Sequence, residues 1–438
     1  MTGIFDGLRA EIAEMEPVRP VGRVTETGRG TFTVAGLPMA ALGDRVLVET
    51  AAGALGGEVL RLSAAGATVL PEQDPEGLVL GARAALLGPA TVAPDGSWLG
   101  RIVDPMGRPL DGRPLLRGTQ RRAMTGAPPP AAERRAMGER LSTGVAVFDT
   151  LLPLARGQRI GLFAGSGVGK SSLLARFARG LAADVAVIGL VGERGRELRD
   201  FTERVLGPEG MARSVVVAAT SDQSPLMRRR CALSAMAVAE HFRDRGLHVL
   251  LLVDSVTRHA EAHREVALAS GESASLRGYP PSTAHAIMGL AERAGPGAGT
   301  AGDITAVFSV LVAGSDMEEP VADIIRGTLD GHVVLDRRIA ERGRYPAIDL
   351  LRSVSRSLPE AATAEENALI AEARQVLGAW DRAEMMVQAG LYVQGSDPAV
   401  DRAIRLWPVL DGFLAEDAPA GGPEAGFARL RACLSGAG

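Results

Sequence analysis

Phe163-Ala164-Gly165-Ser166-Gly167-Val168-Gly169-Lys170-Ser171-Ser172 contains the only lysine of the chain; every other one of its 48 basic side chains is arginine. Arginine presents a broad planar fork, whereas lysine is a compact point charge on a thin stem. A glycine loop wrapped around phosphates has room for the second and not the first. In such a loop backbone N–H groups turn inward, and the helix that follows adds its positive end. The stretch therefore predicts a strand over residues 159–164, a phosphate loop through Gly165, Ser166, Gly167, Val168 and Gly169, and a helix over 170–181. Lys170 is placed to reach the β/γ-phosphates of a nucleotide and Ser171 to hold its Mg²⁺, with Ser172 beside them. Ala164 stands where the pattern G-x-x-x-x-G-K-[ST] has its first glycine, but the run Gly167-Val168-Gly169-Lys170 and its strand-before, helix-after setting outweigh that. A lysine directly after Gly169 also speaks against a dinucleotide-binding turn.

Working outward, the apolar runs 184–191 and 248–253 alternate with helical stretches between residues 142 and 357. Alternation of this kind implies an α/β fold, a parallel sheet covered by helices. Run 248–253 ends in Asp254. An acid at the carboxyl end of a parallel strand lies at the ligand edge of the sheet, where it can hold the Mg²⁺ shell; taken alone, the same aspartate reads equally as a helix N-cap. Gly192-Glu193-Arg194-Gly195-Arg196-Glu197 follows run 184–191. Glu193 is placed to orient and deprotonate a water, and Arg194 to stabilise phosphate oxygens. By itself this segment also reads as a charged surface turn. Tyr345, one of three tyrosines, is a candidate adenine-stacking surface, and Arg356 a candidate arginine finger that meets charge developing in a transition state. Composition alone supports neither.

Residues 18–93 alternate short β-prone runs with Gly, Asp and Pro turns, which predicts a small all-β barrel. Ala127-Pro128-Pro129-Pro130 reads as an extended strap. After Pro359 the pattern turns helical, clearest over 364–377 and 381–389, then 399–406 and 424–434. At the start, Ile4, Phe5, Leu8, Ile12 and Met15 fall at helical spacing. A helix this short is marginal alone, so it packs on the body or waits for a partner.

Hydrophobic residues make up 46% of the 438, with mean hydropathy +0.10, so a packed globular protein is expected. A net charge of −4 argues against a protein built to grip nucleic acid. Cys231 and Cys433 lie at neither metal-ligand nor disulfide-framework spacing. The acidic first residues show no signal-peptide pattern and no apolar run reaches membrane-spanning length. A reducing cytoplasm is the expected compartment, with any membrane work done by recruitment.

Jointly, residues 157–171, Val191-Gly192-Glu193-Arg194-Gly195-Arg196-Glu197, Asp254-Ser255-Val256-Thr257-Arg258, Gly278-Tyr279-Pro280-Pro281-Ser282, Leu329-Asp330-Gly331-His332 and Tyr345-Pro346-Ala347-Ile348-Asp349 resemble the export ATPase of the bacterial flagellar type III secretion system. That family is similar in turn to the catalytic β subunit of rotary ATP synthases, and Ala164 is its own variant. The resemblance implies a docking segment over 1–17, a β-barrel over 18–93, a RecA-like P-loop ATPase core over 94–358 and a helical C-terminal domain over 359–438. It implies ATP and Mg²⁺, the latter held by Ser171 and Asp254, in a homohexamer with nucleotide sites between subunits. Glu193 is then the general base with Lys170 and Arg194 at the phosphates, Arg258 a phosphate-side arginine, Tyr345 the adenine stack and Arg356 the finger reaching a neighbour's site. The implied partners are a stator/negative-regulator dimer docked on Ile4, Phe5, Leu8 and Ile12, a central stalk protein, the membrane export gate and chaperone–substrate complexes. The nearest rival is a virulence-type (injectisome) secretion ATPase. An RNA-translocating hexameric ATPase would need base-stacking aromatics, and residues 18–93 contain Phe32 alone. A non-hydrolysing ring subunit would not need both Lys170 and Glu193. The charged segment 338–343 and the Gly/Pro insert 418–423 depart from the family pattern and bear on chaperone and substrate contacts.

Overall fold

Period-two burial builds the first part of the fold. A computed structural model describes residues 5–13, 15, 18–28, 30–51, 53–312 and 317–436. After helix α1 (Asp6–Ala13) come strands β1 (Val21–Thr27), β2 (Phe32–Ala35), β3 (Asp44–Thr50), β4 (Gly53–Ser63), β5 (Gly66–Pro71) and β6 (Arg83–Pro89). They close antiparallel into a barrel in the order β1-β2-β5-β4-β3-β6, so no edge is left to pair. Inward-facing Val24, Phe32, Val34, Val46, Val48, Val59, Val69 and Ala84 fill it. The sequence marks five of these strands; β6 escapes because Ala84, Ala85, Gly88 and Pro89 are poor strand formers.

The chain then crosses through β7 (Thr91–Val92), β8 (Arg101–Val103), β9 (Arg122–Ala123) and α2 (Ala146–Asp149) into the core. Residues 127–130 carry neither helix nor strand. The core runs β10 (Arg159–Ala164), α3 (Lys170–Gly180), β11 (Val185–Glu193), α4 (Gly195–Asp200), α5 (Gly207–Ala212), β12 (Ser214–Thr220), α6 (Pro225–Arg243), β13 (Val249–Asp254), α7 (Val256–Ala269), α8 (Ser282–Glu292), β14 (Ile304–Leu311), α9 (Pro320–Thr328), β15 (Gly331–Leu335), α10 (Arg337–Glu341) and β16 (Ile348–Ser355). Its sheet has the order β16-β15-β10-β14-β13-β11-β12-β8, parallel except for the β15–β16 pair. Alternate residues feed opposite layers. Ala186, Ile188 and Leu190 of β11 pack with α3, while Val185, Val187 and Val191 pack with α6 and α7. Burial on both faces explains why these strands read as continuous apolar runs.

Two arginines of α6, Arg230 buried and Arg229 partly buried, tie barrel to core. Arg230 donates to Glu58 of β4 at 2.9 and 3.2 Å and also reaches Glu72, while Arg229 pairs with Glu58 as well. Beyond the sheet lie α11 (Ala364–Gln388), α12 (Pro398–Phe413) and α13 (Gly422–Ser435). The two separate helices expected over 364–377 and 381–389 are one, running through Gly378. A helix-interior glycine costs about 1 kcal/mol. Here the flanking Leu377 and Ala379 are buried, and Trp380 stacks on Trp407 of α12 with centroids 4.6 Å apart. Such stacking adds about 0.5–1.5 kcal/mol beyond area burial. No helix among the described residues is long and apolar enough to cross a membrane.

Candidate active site

The loop after β10 needs its glycines. Gly167 and Gly169 have φ of 78° and 84°, in the left-handed region that L side chains avoid. Val168 between them is buried in the core and anchors the turn. Helix α3 begins at Lys170 with Gly169 as its N-cap, so its first free N–H groups and positive end face the loop. Gly165, Ser166, Gly167, Gly169, Lys170, Ser171 and Ser172 line one face of a cleft of about 680 Å³. Gly192, Glu193, Arg194, Glu197 and Arg258 line the other.

The carboxyl ends of three strands meet in this region. Lys170 Nζ is ion-paired with Asp254 Oδ1 at the end of β13. The same oxygen accepts a hydrogen bond of 2.7 Å from Ser309 Oγ on β14, and Asp254 is only 4% exposed. Asp254 is therefore not the N-cap: Ser255 caps α7, accepting from the N–H of Arg258. Ser309 escaped the sequence reading. It is a hydroxyl near the end of the largely apolar strand Ile-Thr-Ala-Val-Phe-Ser-Val-Leu, and only the pairing of β14 with β13 shows what it faces.

Glu193 ends β11 after an irregular step against β12 between Val191 and Glu193. Gly192 makes that step with φ 69°, a re-aiming device common beside active sites. Burial pushes the Glu193 carboxyl up to about 7; a hydrogen bond to Glu197 and the charge of Asp254 push the same way, and Lys170 opposes them. A carboxyl poised near neutral pH is suited to accept a proton from water. The structure makes Glu197, the last residue of the 192–197 motif, the partner of Glu193.

The remaining residues fall into two groups. Tyr345, half exposed, lies against the loop: a Cβ added at Gly169 would sit 3.0 Å from its ring. Arg258 and Arg194 line the cleft but pair with Glu261 and Glu197 at 3.2 Å each. Arg356 is not brought to this cleft. It follows β16, which runs antiparallel to β15, so it lies beside the amino end of β10 while the phosphate loop follows the carboxyl end. Phe5, Leu8 and Ile12 are more than half exposed on and beside α1; Ile4 lies outside the described residues.

The donors suit Mg²⁺. Among the described residues no cluster of three or more His, Cys, Asp or Glu forms a metal cage. Mg²⁺ is characteristically held by one or two protein oxygens together with phosphates, and the Ser171 hydroxyl and Asp254 carboxylate supply such hard oxygens in a small pocket that shares Ser171, Glu193 and Glu197 with the cleft.

Residues 144–355 match the ATP synthase alpha/beta family, nucleotide-binding domain, and residues 362–419 the T3SS EscN ATPase C-terminal domain. The chain is 44% identical to the flagellum-specific ATP synthase of Caulobacter vibrioides over 419 residues, 94% of each chain. It is 43% identical to that of Salmonella typhimurium over 431 residues, 94% of this chain and 93% of the other. Among solved structures it is similar to the assembled ATPase EscN from the enteropathogenic E. coli type III secretion system. The TM-score is 0.87 at 34% identity, covering 94% of this chain and all of that one. EscN in complex with its central stalk EscO matches with a TM-score of 0.85.

Proposed function

We infer function from a plain premise: this chain belongs to the flagellum-specific ATP synthase family, with the nucleotide-binding domain of the ATP synthase alpha/beta family at its centre. It is an ATP-hydrolysing enzyme of type III protein export, and its reading is flagellar. The flagellar relatives reach 44% identity over 94% of the chain, against 40% for a type 3 secretion system ATPase of Xanthomonas euvesicatoria, a small margin that favours the flagellar branch over the injectisome.

The observation that carries the chemistry is the convergence of Lys170, Asp254 and Glu193 at the carboxyl ends of neighbouring strands beside a glycine loop. ATP places its β/γ-phosphates against the loop N–H groups, and Lys170 moves from Asp254 to those phosphates. Glu193 accepts the proton of the attacking water as its oxygen bonds to the γ-phosphorus and the bond to ADP breaks. Arg194 and Arg258 face the departing charge, and Tyr345 stacks on the base. When bound, Mg²⁺ neutralises phosphate charge, with Ser171 and Asp254 as the residues that hold it. Arg356 lies too far from its own loop to act there, which supports action on a neighbour's site. We therefore assign a homohexameric ring with sites between subunits, around a central stalk protein like the one EscN binds. The exposed apolar side chains Phe5, Leu8 and Ile12 support docking of the N-terminus on a stator/negative-regulator dimer. The ring then works in the cytoplasm, recruited to the membrane export gate, where it promotes delivery and unfolding of chaperone-bound substrates.

Filament assembly tests this in the source bacterium deleted for the chain. Wild type should restore external filaments and Lys170→Ala should not. Normal filaments in the deletion strain would overturn the flagellar reading and direct attention to effector secretion.

A further inference from the structure

Gln158, the residue before β10, is wholly buried and fully partnered. Its amide oxygen accepts from the N–H of Ala155 at 2.8 Å, which fixes the orientation of the amide. Its NH₂ group donates twice, to the carbonyl of Asp330 at 2.9 Å and to Ser355 Oγ at 3.0 Å. Asp330 and Ser355 belong to the two segments that hold Arg356. The carbonyl oxygen that Gln158 reaches also accepts the backbone N–H of Arg356 at 3.0 Å. Gln158 and the finger thus meet on one atom. The neighbouring Leu329 carbonyl accepts from the Arg356 guanidinium at 3.1 Å, and the Asp330 carboxylate clamps Arg159 at 3.0 and 3.1 Å. Packing leaves no slack. Gly331 has φ 147°, and a Cβ there would meet the Val354 carbonyl at 2.6 Å and the Arg356 nitrogen at 3.4 Å.

We propose that Gln158 is the positioning residue of the Arg356 finger, fixing it to the amino end of the strand whose carboxyl end carries the phosphate loop. This rests on the reading of Arg356 as a finger acting in trans. A buried amide with all its hydrogen bonds made resists displacement, because moving either segment strands a polar group. At about 3.3 Å per residue, the six residues of β10 span about 20 Å. One rigid strand therefore carries a subunit's own nucleotide loop at one end and the charge it lends its neighbour at the other. Misplacing a catalytic group by about 1 Å costs up to roughly 10²-fold in rate. Gln158→Leu keeps the bulk and removes the three bonds, so the finger is the part it should loosen.

The test is carried out on assembled rings of the full chain. Gln158→Leu rings should hold a fluorescent ATP analogue as tightly as wild type while kcat falls roughly 10- to 100-fold. Mixed rings, doubly tagged and containing Gln158→Leu with Lys170→Ala subunits, should recover turnover well above either parent ring. In them an intact loop receives an intact finger from the neighbour. Unchanged kcat in Gln158→Leu, or weakened nucleotide binding with no recovery on mixing, would overturn the proposal and place Gln158 on its own loop. Mixed Arg356→Ala and Lys170→Ala rings run alongside. If those also fail to recover, the finger reading has failed; if they recover and the Gln158→Leu mixture does not, only the positioning role has. Ser355→Ala removes the other half of the bridge and gives the same readouts should Gln158→Leu not fold.

Discussion

The Glu193 carboxyl makes the pH profile of kcat/KM the sharpest test of the site. That parameter reports ionisations of the free enzyme, the state the structure shows. With the carboxyl pushed up to about 7 by burial, Glu197 and Asp254, its basic form is scarce below neutrality. A base must be ionised to accept the proton, so the sign is fixed: kcat/KM falls as pH drops through 7. One unit below the pKa about a tenth of the enzyme is active, so kcat/KM at pH 6 should be roughly tenfold below its plateau near pH 8. Glu197→Gln removes a like charge and puts in its place an amide whose NH₂ can donate to the ionised Glu193, so its limb should move to lower pH. Glu193→Gln should bind nucleotide normally, lose about 10²- to 10⁴-fold in turnover and lose the limb. The measurement is initial phosphate release at fixed ionic strength from pH 5.5 to 8.5. A flat wild-type profile, a limb unmoved in Glu197→Gln or near-normal turnover in Glu193→Gln would each refute the assignment.

Ser309→Ala deletes the hydroxyl that shares Asp254 Oδ1 with Lys170. Hydrogen bonds to charged groups are worth about 1.5–3 kcal/mol, so the nucleotide-free chain should lose stability of that order in a urea melt, together with turnover. His259 gives an acid-stability prediction. Burial first, then His263 and Arg229, push its imidazole down to about 3, against about 6.5 when unfolded. The folded form stays neutral while the unfolded chain binds a proton, so this stability is present above pH 6.5 and is lost as pH falls through it toward 3. At about 1.4 kcal/mol per pH unit, wild type should lose about 2 kcal/mol from this group by pH 5. His259→Gln should lose correspondingly less between pH 7 and 5 in the same melts, and an equal loss in both proteins would refute the linkage.

The site was legible where residue type and spacing are local. Lys170 with its glycines, Asp254 closing an apolar run and Glu193 behind Gly192 all announce themselves within ten residues. What stayed illegible depends on strand order. Ser309 reaches Asp254 only because β14 inserts between β10 and β13. Glu197's hold on Glu193 follows from the turn at Gly192 and the start of α4. Helix α11 reads as two pieces because Gly378 is judged by propensity, whereas the Trp380–Trp407 stack that offsets it comes from another helix. Strand β6 has little β-propensity and exists because β1 and β3 both need a partner to close the barrel.

The lone lysine gains a second explanation from the nucleotide-free geometry. Room among phosphates is one reason to avoid arginine at position 170. The other is its resting partner: Asp254 already takes a hydrogen bond from Ser309 and sits buried at the sheet edge. An arginine there would lay its fork on both carboxylate oxygens in two parallel hydrogen bonds, a pairing stronger and more geometrically fixed than an ammonium makes. Nucleotide entry requires this cation to leave the carboxylate for the phosphates. A point charge on a flexible stem can exchange one anionic oxygen for another along a short arc. A fork must give up two bonds together and leave a buried carboxylate with the Ser309 hydrogen bond alone. Elsewhere the chain uses arginine for permanent clamps, as in Arg230 on Glu58, Arg293 on Glu240 and Arg101 on Asp111. At residue 170 the cation must change partners, and there the chain uses lysine.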